Sequence, residues 1–427
     1  MSTTLRGILI ILFTFTFVAV IAYQSLSHRS ARKRAYTYLM LASALFPFLD
    51  LGMSVAGIPI KVFSVASTTF LIFNFNTLYK LAKRYYLIII YAIILIITSL
   101  TSEFKSDSLS SITDKLRPAI VFLATIMVFE GLDENNRLKL FAKYMKVPII
   151  MALFFGFMQV LVSINFSVFY SVWAKDIRIS SCFPDPQIAG CCIAILAAYT
   201  WHRYLNFKKP LYLFIVILLA YIGLQTGSKA FLLGFVLSIL TSFIFTRQKS
   251  KYTIIIAIIS IILILTQDYW SQLHIFERLS NAEESLEGRQ EFYWLGAIEI
   301  FKYNWATGIG SGIFQQYIEK HNIPMIHQLS DGVEVYASQP ESGYLLWLDE
   351  LGIFSVIYIV IILYLVFKKY GNQYINISMI IPWFIAFVSL YNLQSNMLIY
   401  ILFMTLALMF QQSENQKKLQ TKTIRRW

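Results

Sequence analysis

Arg117, Arg178, Lys229 and Arg289 stand apart from the clustered Lys and Arg of this sequence: Arg117 and Lys229 lie at the edges of apolar runs, Arg178 in a loop between two of them, and Arg289 in the one long polar passage. Gathered at one mouth of a helical bundle, such cations can clamp a diphosphate, because guanidinium forks match phosphate oxygens and lose little entropy in doing so. Lys229 is the most constrained of them, since the turn Thr226-Gly227-Ser228-Lys229 leaves it little freedom. The polar passage runs from Gln267 to Gly352 and holds Glu277, Arg278, Glu283, Glu284, Glu287, Arg289, His321, His327, Asp331, Glu334 and Glu341. An ionisable group costs about 2.5–3.5 kcal/mol at the centre of a lipid-embedded helix, so this density of charge must face water or a protein-lined cavity. A carboxylate or histidine there, within hydrogen-bond reach of a hydroxyl, can take its proton, typically for about 10²–10⁴-fold in rate. Any chemistry is expected in this passage.

The elements that must position these residues are helices in lipid. The chain is 57% hydrophobic and only 14% charged, against a charged share of about 25% in soluble domains, and its mean hydropathy is +0.63. Crossing about 30 Å of hydrocarbon takes about 20 helical residues. About thirteen apolar runs meet or approach that length: Leu5–Leu26, Ala35–Val55, Ile60–Tyr79, Tyr85–Leu100, Lys115–Glu130, Tyr144–Ile164, Gln187–Tyr204, Pro210–Gln225, Ser228–Phe245, Tyr252–Gln267, Ser342–Phe367, Tyr374–Tyr391 and Ser395–Gln411. The first lacks a small-residue cleavage site and reads as a retained helix rather than a signal peptide. The expected fold is therefore all-α, a polytopic integral membrane bundle of about 12–13 transmembrane helices. Its expected divisions are helices 1–10 in residues 1–266, one long outer loop in 267–341, helices 11–13 in 342–412, and a basic cytoplasmic tail in 413–427.

Orientation follows from the basic residues, which stay on the cytoplasmic side. Alternate connections carry Arg29, Arg32, Lys33 and Arg34; Lys80, Lys83 and Arg84; Arg137, Lys139, Lys143 and Lys146; Arg203, Lys208 and Lys209; Arg247, Lys249 and Lys251; and Lys368 and Lys369. The tail continues the series with Lys417, Lys418, Lys422, Arg425 and Arg426. The long polar passage falls on the opposite side, facing outward. The net charge of +13 is thus a topology signal and needs no nucleic-acid partner; the basic tail suits anionic lipid.

Four motifs, in order, resemble one family. Arg178-Ile-Ser-Ser-Cys-Phe-Pro184-Asp185, Gln225-Thr-Gly-Ser228-Lys229, the run from Gly288-Arg289 through Trp294 to Gly308-Ile-Gly310-Ser-Gly312, and the stretch from Gln339 to Gly352 are similar to the O-antigen polymerase and ligase superfamily, over about Phe155 to Phe367. The resemblance implies a GT-C-like fold in a bacterial cytoplasmic (inner) membrane. It also implies lipid-linked oligosaccharides as donor and acceptor, with undecaprenyl diphosphate as carrier, and flippase and chain-length-regulator partners. Cofactor, metal ion and nucleotide sugar are not expected. Ligases of the superfamily carry a His-Asn pair where this chain has Glu341-Ser342; the difference leans toward a polymerase, with a ligase as the alternative reading. Lys229 stands for the commoner Arg, and Asp185 for an Asn.

Joining two repeat units requires a hydroxyl to attack an anomeric carbon while a lipid diphosphate leaves. Arg178, Lys229, Arg289 and Arg117 are the expected diphosphate ligands, with Arg289 also stabilising the departing charge. Glu341, in the place of the related His, is the expected general base. The competing structural reading is a capping box, Ser338-Gln339-Pro340-Glu341, in which the carboxylate only starts a helix. His327 and Asp331 are further proton acceptors. Asp50 is an intramembrane carboxylate and so a candidate by default. Gln159, Asn165 and Gln187 suit sugar hydroxyls as well as they suit helix-to-helix hydrogen bonds.

Other signals point to packing. Gly308-Ile-Gly310-Ser-Gly312 follows no strand of a βαβ unit and reads as a tight turn rather than a nucleotide loop. His321 and His327 have no cysteine beside them, and Cys182, Cys191 and Cys192 have no metal spacing, so they read as apolar filler. A transporter is the third class of function; the sequence shows neither an inverted repeat nor matched Gly/Pro-broken helices.

Overall fold

Proline and glycine punctuate the apolar runs, and local chemistry at those points sets the helix ends. The computed structural model describes residues 23, 54–55, 58–59, 79, 86–129, 132–162, 178–183, 185–245, 287–328, 334–360, 374–389, 393, 395 and 398–408. The helices among them include α1 (Tyr86–Thr101), α2 (Lys105–Phe129), α3 (Glu134–Leu161), α4 (Pro186–Phe207), α5 (Pro210–Gln225), α6 (Lys229–Phe245), α7 (Leu295–Tyr303), α8 (Phe314–Lys320), α9 (Gly343–Leu351) and α10 (Tyr374–Ser389). Two small antiparallel ladders accompany them, β1 (Ser54–Val55) with β2 (Ile58–Pro59), and β3 (Ile326–Gln328) with β4 (Glu334–Tyr336). The all-α expectation holds at this level.

The chain forms two compact units: residues 1–100, 104–148 and 393–427, and residues 101–103 with 149–392. In the first, α1 and α2 meet through a hydrogen bond from Ser108 Oγ to Ser99 Oγ at 2.8 Å, and the face Val121, Ala124, Ile126 and Phe129 is buried. Here α2 starts well before the apolar run that announced it. The polar turns around Asp107 join the same helix, because hydropathy marks where apolar surface begins and not where i to i+4 bonding begins. The N-terminal turns of α3, from Glu134, extend its apolar run in the same way.

In the second unit, α5, α6 and α10 pack around α4, which is buried continuously from Ile188 to Trp201. Small residues let the backbones approach. A Cβ on Gly190 of α4 would lie 2.5 Å from Ser228 Cβ, and one on Gly234 of α6 would lie 2.8 Å from Pro382 Cα of α10. Ser238 of α6 donates to the Ser378 carbonyl of α10 at 2.6 Å. By length and composition α3 can cross a membrane, and Tyr86–Thr101, Pro210–Gln225, Lys229–Ser242, Ser378–Val388 and Leu398–Leu408 are shorter apolar helices. Much of the surface of α1, α5 and α6 is apolar and exposed, including Ile93, Ile96, Phe214, Ile217, Leu233 and Leu240. The runs at Leu5–Leu26, Ala35–Val55, Ile60–Tyr79 and Tyr252–Gln267 lie largely or wholly outside the described residues.

Candidate active site

The site is built at the heads of α4 and α6. Pro186 opens α4, and the Asp185 side chain caps it by accepting from the Gln187 and Ile188 N–H groups at 2.6 and 3.3 Å. Ser228 caps α6 by accepting from the Phe231 N–H at 3.3 Å, with Lys229 as the first helical residue. The contact of Gly190 with Ser228 sets the first turns of the two helices against each other. Arg178 joins them: its Nε donates to the Thr226 carbonyl at 2.9 Å. The Ile179 N–H donates to the Gln225 carbonyl at 3.4 Å. Arg178 and Lys229 are thereby held on one short turn.

Arg289 and Glu341, from the polar passage, form a second pair. Arg289 Nη2 lies 3.5 Å from Glu341 Oε2, with about a fifth of each side chain exposed, 22% and 21%. The turn after Arg289 is π-helical, Gln290–Trp294, and the Leu295 N–H reaches back to the Gln290 carbonyl. That extra residue per turn changes the helical phase, so that Arg289 meets Glu341 while Ala297 and Ile300 of the continuing α7 turn into the core. Burial pushes the Glu341 carboxyl above its ordinary range; Arg289 opposes that rise, and the charge of Asp185 adds to it. Asp185 and Arg289 are thus each within electrostatic reach of Glu341. Tyr293 is part of this environment. Burial and Glu341 raise its phenol, Arg289 lowers it, and its hydroxyl lies 3.5 Å from the Ile326 carbonyl of β3.

The capping box is not formed. Helix α9 begins at Gly343 with Ser342 as its cap, and Ser342 Oγ accepts from the Leu345 N–H at 3.4 Å. Glu341 sits one residue before that cap with φ 50°, in the left-handed region. This is uncommon for a residue with a side chain and costs on the order of 1 kcal/mol. Its carboxylate is therefore turned to Arg289 and not to a helix N-terminus.

The other sequence candidates are placed differently. Gln159 is 4% exposed, and its Oε1 accepts from the Ser180 and Ser181 N–H groups at 3.1 and 2.7 Å. It clamps the loop that carries Arg178, instead of presenting an amide to a sugar. Arg117 lies in the middle of α2, in the first unit, and not at a helix mouth; it is 4% exposed and paired with Asp114. His327 belongs to β3, opposite Val335. Asp331, Asp50 and Asn165 lie outside the described residues. Cys182 is fully buried, its thiol pushed up to about 12 by desolvation, as inert filler requires.

The glycine motif is the tight turn its sequence suggested. Gly308, Gly310 and Gly312 have φ of 71°, 106° and 72°. The Ile309 and Gly310 N–H groups donate to the Asp349 and Glu350 carbonyls at 2.8 and 3.1 Å, and the Gly312 N–H donates to Glu350 Oε1 at 2.9 Å. The turn thus fastens the segment after α7 to the far end of α9, whose near end is preceded by Glu341. Two site residues escaped sequence reasoning as site residues. Asp185-Pro186 is a helix-start signature whose charge was readable, but its proximity to Glu341 is tertiary. Tyr293 follows Arg289 by four residues, a helical spacing that marks neighbours.

These features define a helical protein with a guanidinium–carboxylate site at converging helix ends. Residues 213–360, which hold Lys229, Arg289 and Glu341, match the family model described as O-antigen ligase, and that match bears out the resemblance to the O-antigen polymerase and ligase superfamily. The family is one of glycosyltransferase-like membrane enzymes of polysaccharide biosynthesis. No curated protein sequence matches the chain.

Proposed function

We propose that the chain is a polysaccharide polymerase, joining undecaprenyl-diphosphate-linked oligosaccharide repeat units by glycosyl transfer at the outer face of a bacterial cytoplasmic membrane, in which it is a polytopic bundle. The observation that carries this reading is the Arg289–Glu341 pair, on which Asp185 at the head of α4 also acts. In the reaction, a sugar hydroxyl of the acceptor attacks the anomeric carbon of the donor. The bond from that carbon to the diphosphate oxygen breaks, and the electron pair leaves with the lipid diphosphate. Arg289, Arg178 and Lys229 stabilise the growing negative charge, and fixed donors of this kind act most strongly where water is excluded.

The hydroxyl proton passes to Glu341. A carboxylate made more basic by burial is better matched to that task than an exposed one. Arg289 keeps it ionised in the resting site and turns to the diphosphate when substrate enters. Because the lipid carries the activated bond, no ATP or sugar nucleotide is needed, and the chain's own cations supply the charge neutralisation. The exposed apolar faces of α1, α5 and α6 and the alternating basic connections support the membrane placement.

The description of the matching family favours a second reading, ligation of a finished lipid-linked glycan to another acceptor. Purified protein in proteoliposomes separates the two. Given lipid-linked repeat units alone, a polymerase lengthens them into a ladder; a ligase leaves them unchanged until a different acceptor is added.

A further inference from the structure

The hairpin that joins α4 to α5 gathers three cations where the packed helices offer no anion. Arg203 lies near the C-terminal end of α4, Lys208 caps that end in the left-handed region with φ 52°, and Lys209 caps the start of α5. From Pro186 to Gln267 the sequence has no Asp or Glu, and α10, the other helix against α4, has none either. The carboxylate just before α4, Asp185, caps its opposite end. Arg203 is half-buried and held between two rings: its Cζ lies 4.3 Å from the Phe207 centroid and 5.5 Å from that of Tyr212. Its Nη2 donates to the Tyr212 hydroxyl at 3.3 Å. These contacts fix the guanidinium across the two helices without neutralising it, and no ion pair of Arg203 or Lys209 is found among the described residues. Lys208 and Lys209 are exposed at the same end of the hairpin, and Lys208 Nζ lies 5.6 Å from the Tyr204 centroid. Directly beside the cations the surface turns apolar. Phe207, Leu211, Phe214 and Ile217 are 50–62% exposed, and the last three, spaced by three, follow one face of α5.

We infer that this hairpin binds an anionic phospholipid, its phosphate among Arg203, Lys208 and Lys209 and an acyl chain along Leu211, Phe214 and Ile217. Uncompensated cations call for an anion, and a guanidinium matches phosphate oxygens; the apolar track that leads away from them calls for hydrocarbon. A phospholipid carries both on one molecule, whereas a free phosphate would leave the track bare. Tyr204 and Tyr212 stand where the amphipathic rings of a membrane interface stand. The site lies at the opposite end of α4 from Asp185, so it is separate from the Arg289–Glu341 pair. It holds for a polymerase and a ligase alike and requires only the membrane location of the family.

The test is native mass spectrometry of the full chain in detergent, titrated in turn with phosphatidylglycerol, phosphatidylcholine and inorganic phosphate. The parent is compared with Arg203→Gln, with the double variant Lys208→Gln/Lys209→Gln, and with a control, Lys139→Gln/Lys143→Gln/Lys146→Gln, which removes three exposed cations of α3. The first phosphatidylglycerol is expected to bind the parent about tenfold or more tighter than phosphatidylcholine, and the preference to fall about fivefold for each hairpin cation removed. The α3 control should keep it, and inorganic phosphate should not bind at matched concentration. The double variant changes only exposed residues, so it reads the site even where Arg203→Gln disturbs the fold. The inference is overturned if the parent binds the two lipids equally, or if the double variant keeps the full preference. An equal loss in the α3 control would show a general surface field instead of a site. Inorganic phosphate bound as tightly as the lipid would show that the apolar track takes no part; either result also overturns it.

Discussion

Burial and Asp185 raise the Glu341 carboxyl and Arg289 lowers it, and the balance has measurable consequences. As the base that carboxyl must be ionised, so activity should fall as pH drops through its raised value. The acid limb of kcat is expected above the ordinary carboxyl value of 4.5. Arg289 is the influence that lowers it, so any residual activity of Arg289→Ala should show that limb at still higher pH. Glu341→Gln should lose about 10²-fold or more in kcat, whereas Ser338→Ala should leave kcat unchanged. The sign for stability is the reverse of that for activity. A carboxyl raised on folding stabilises the folded state when protonated, and that contribution is lost as pH rises through its folded value. Glu341→Gln should therefore hold or raise the thermal midpoint at neutral pH while removing activity.

Arg289→Ala should cost about 10²-fold or more in kcat, and Arg289→Lys should be impaired too, since an ammonium lacks the fork. Chain-length distributions at matched expression check both. The Arg289 and Glu341 candidates were legible because charge in an apolar chain is conspicuous. Their pairing was not, because a left-handed residue before a Ser cap and a π turn after Arg289 leave no periodic signal. The S-x-x-E pattern at Ser338 pointed to a cap one turn early; Ser342, with its own free hydroxyl beside the true helix start, took that place.

At the level of elements, the glycine turn is what ties the polar passage to the end of α9. A Cβ on Gly308 would lie 2.4 Å from the Glu350 carbonyl carbon and oxygen, at a φ of 71°. Gly308→Ala thus meets backbone that cannot rotate away. A loss on the order of 1–3 kcal/mol is expected, read as a lower thermal midpoint with reduced polymer yield. A second tie is exposed: Glu103 accepts from Lys320 Nζ at 2.9 Å and lies 3.2 Å from His321 Nε2. Lys320 is the main cause that lowers the Glu103 carboxyl. Its contribution is present above the ordinary value of 4.5 and is lost as pH falls through the lowered one. Glu103→Gln should speed amide exchange in residues 314–321 and leave kcat unchanged. Helix positions were legible from apolar runs and from Pro186 and Pro210; helix lengths were not, as the polar turns of α2 and α3 show. The polar passage looked like a loop because α7, α8 and the β3–β4 hairpin are short and rich in polar residues. Their order comes from contacts such as Asn304 Nδ2 donating to the Tyr317 hydroxyl at 2.9 Å.

For the whole molecule, topology decides whether the site faces the right compartment. The alternation of basic connections predicts that a reporter fused after Ala282 or Ser330 is active only outside the cytoplasm, and one after Lys249 only inside. The composition made the helical class legible at once, and the motifs made the superfamily legible, because both are properties of residue types along the chain. That Arg289 and Asp185, from opposite parts of the sequence, both act on Glu341 is tertiary and could not be read from order alone. The most direct measurement is polymerisation by the purified protein in proteoliposomes of known orientation, with lipid-linked repeat units as sole substrate displayed on one face. A glycan ladder is predicted only when the repeat units lie on the face that carries the Gln267–Gly352 passage, and none from Glu341→Gln. A ladder from units displayed only on the opposite face, or an undiminished ladder from Glu341→Gln, would contradict the account.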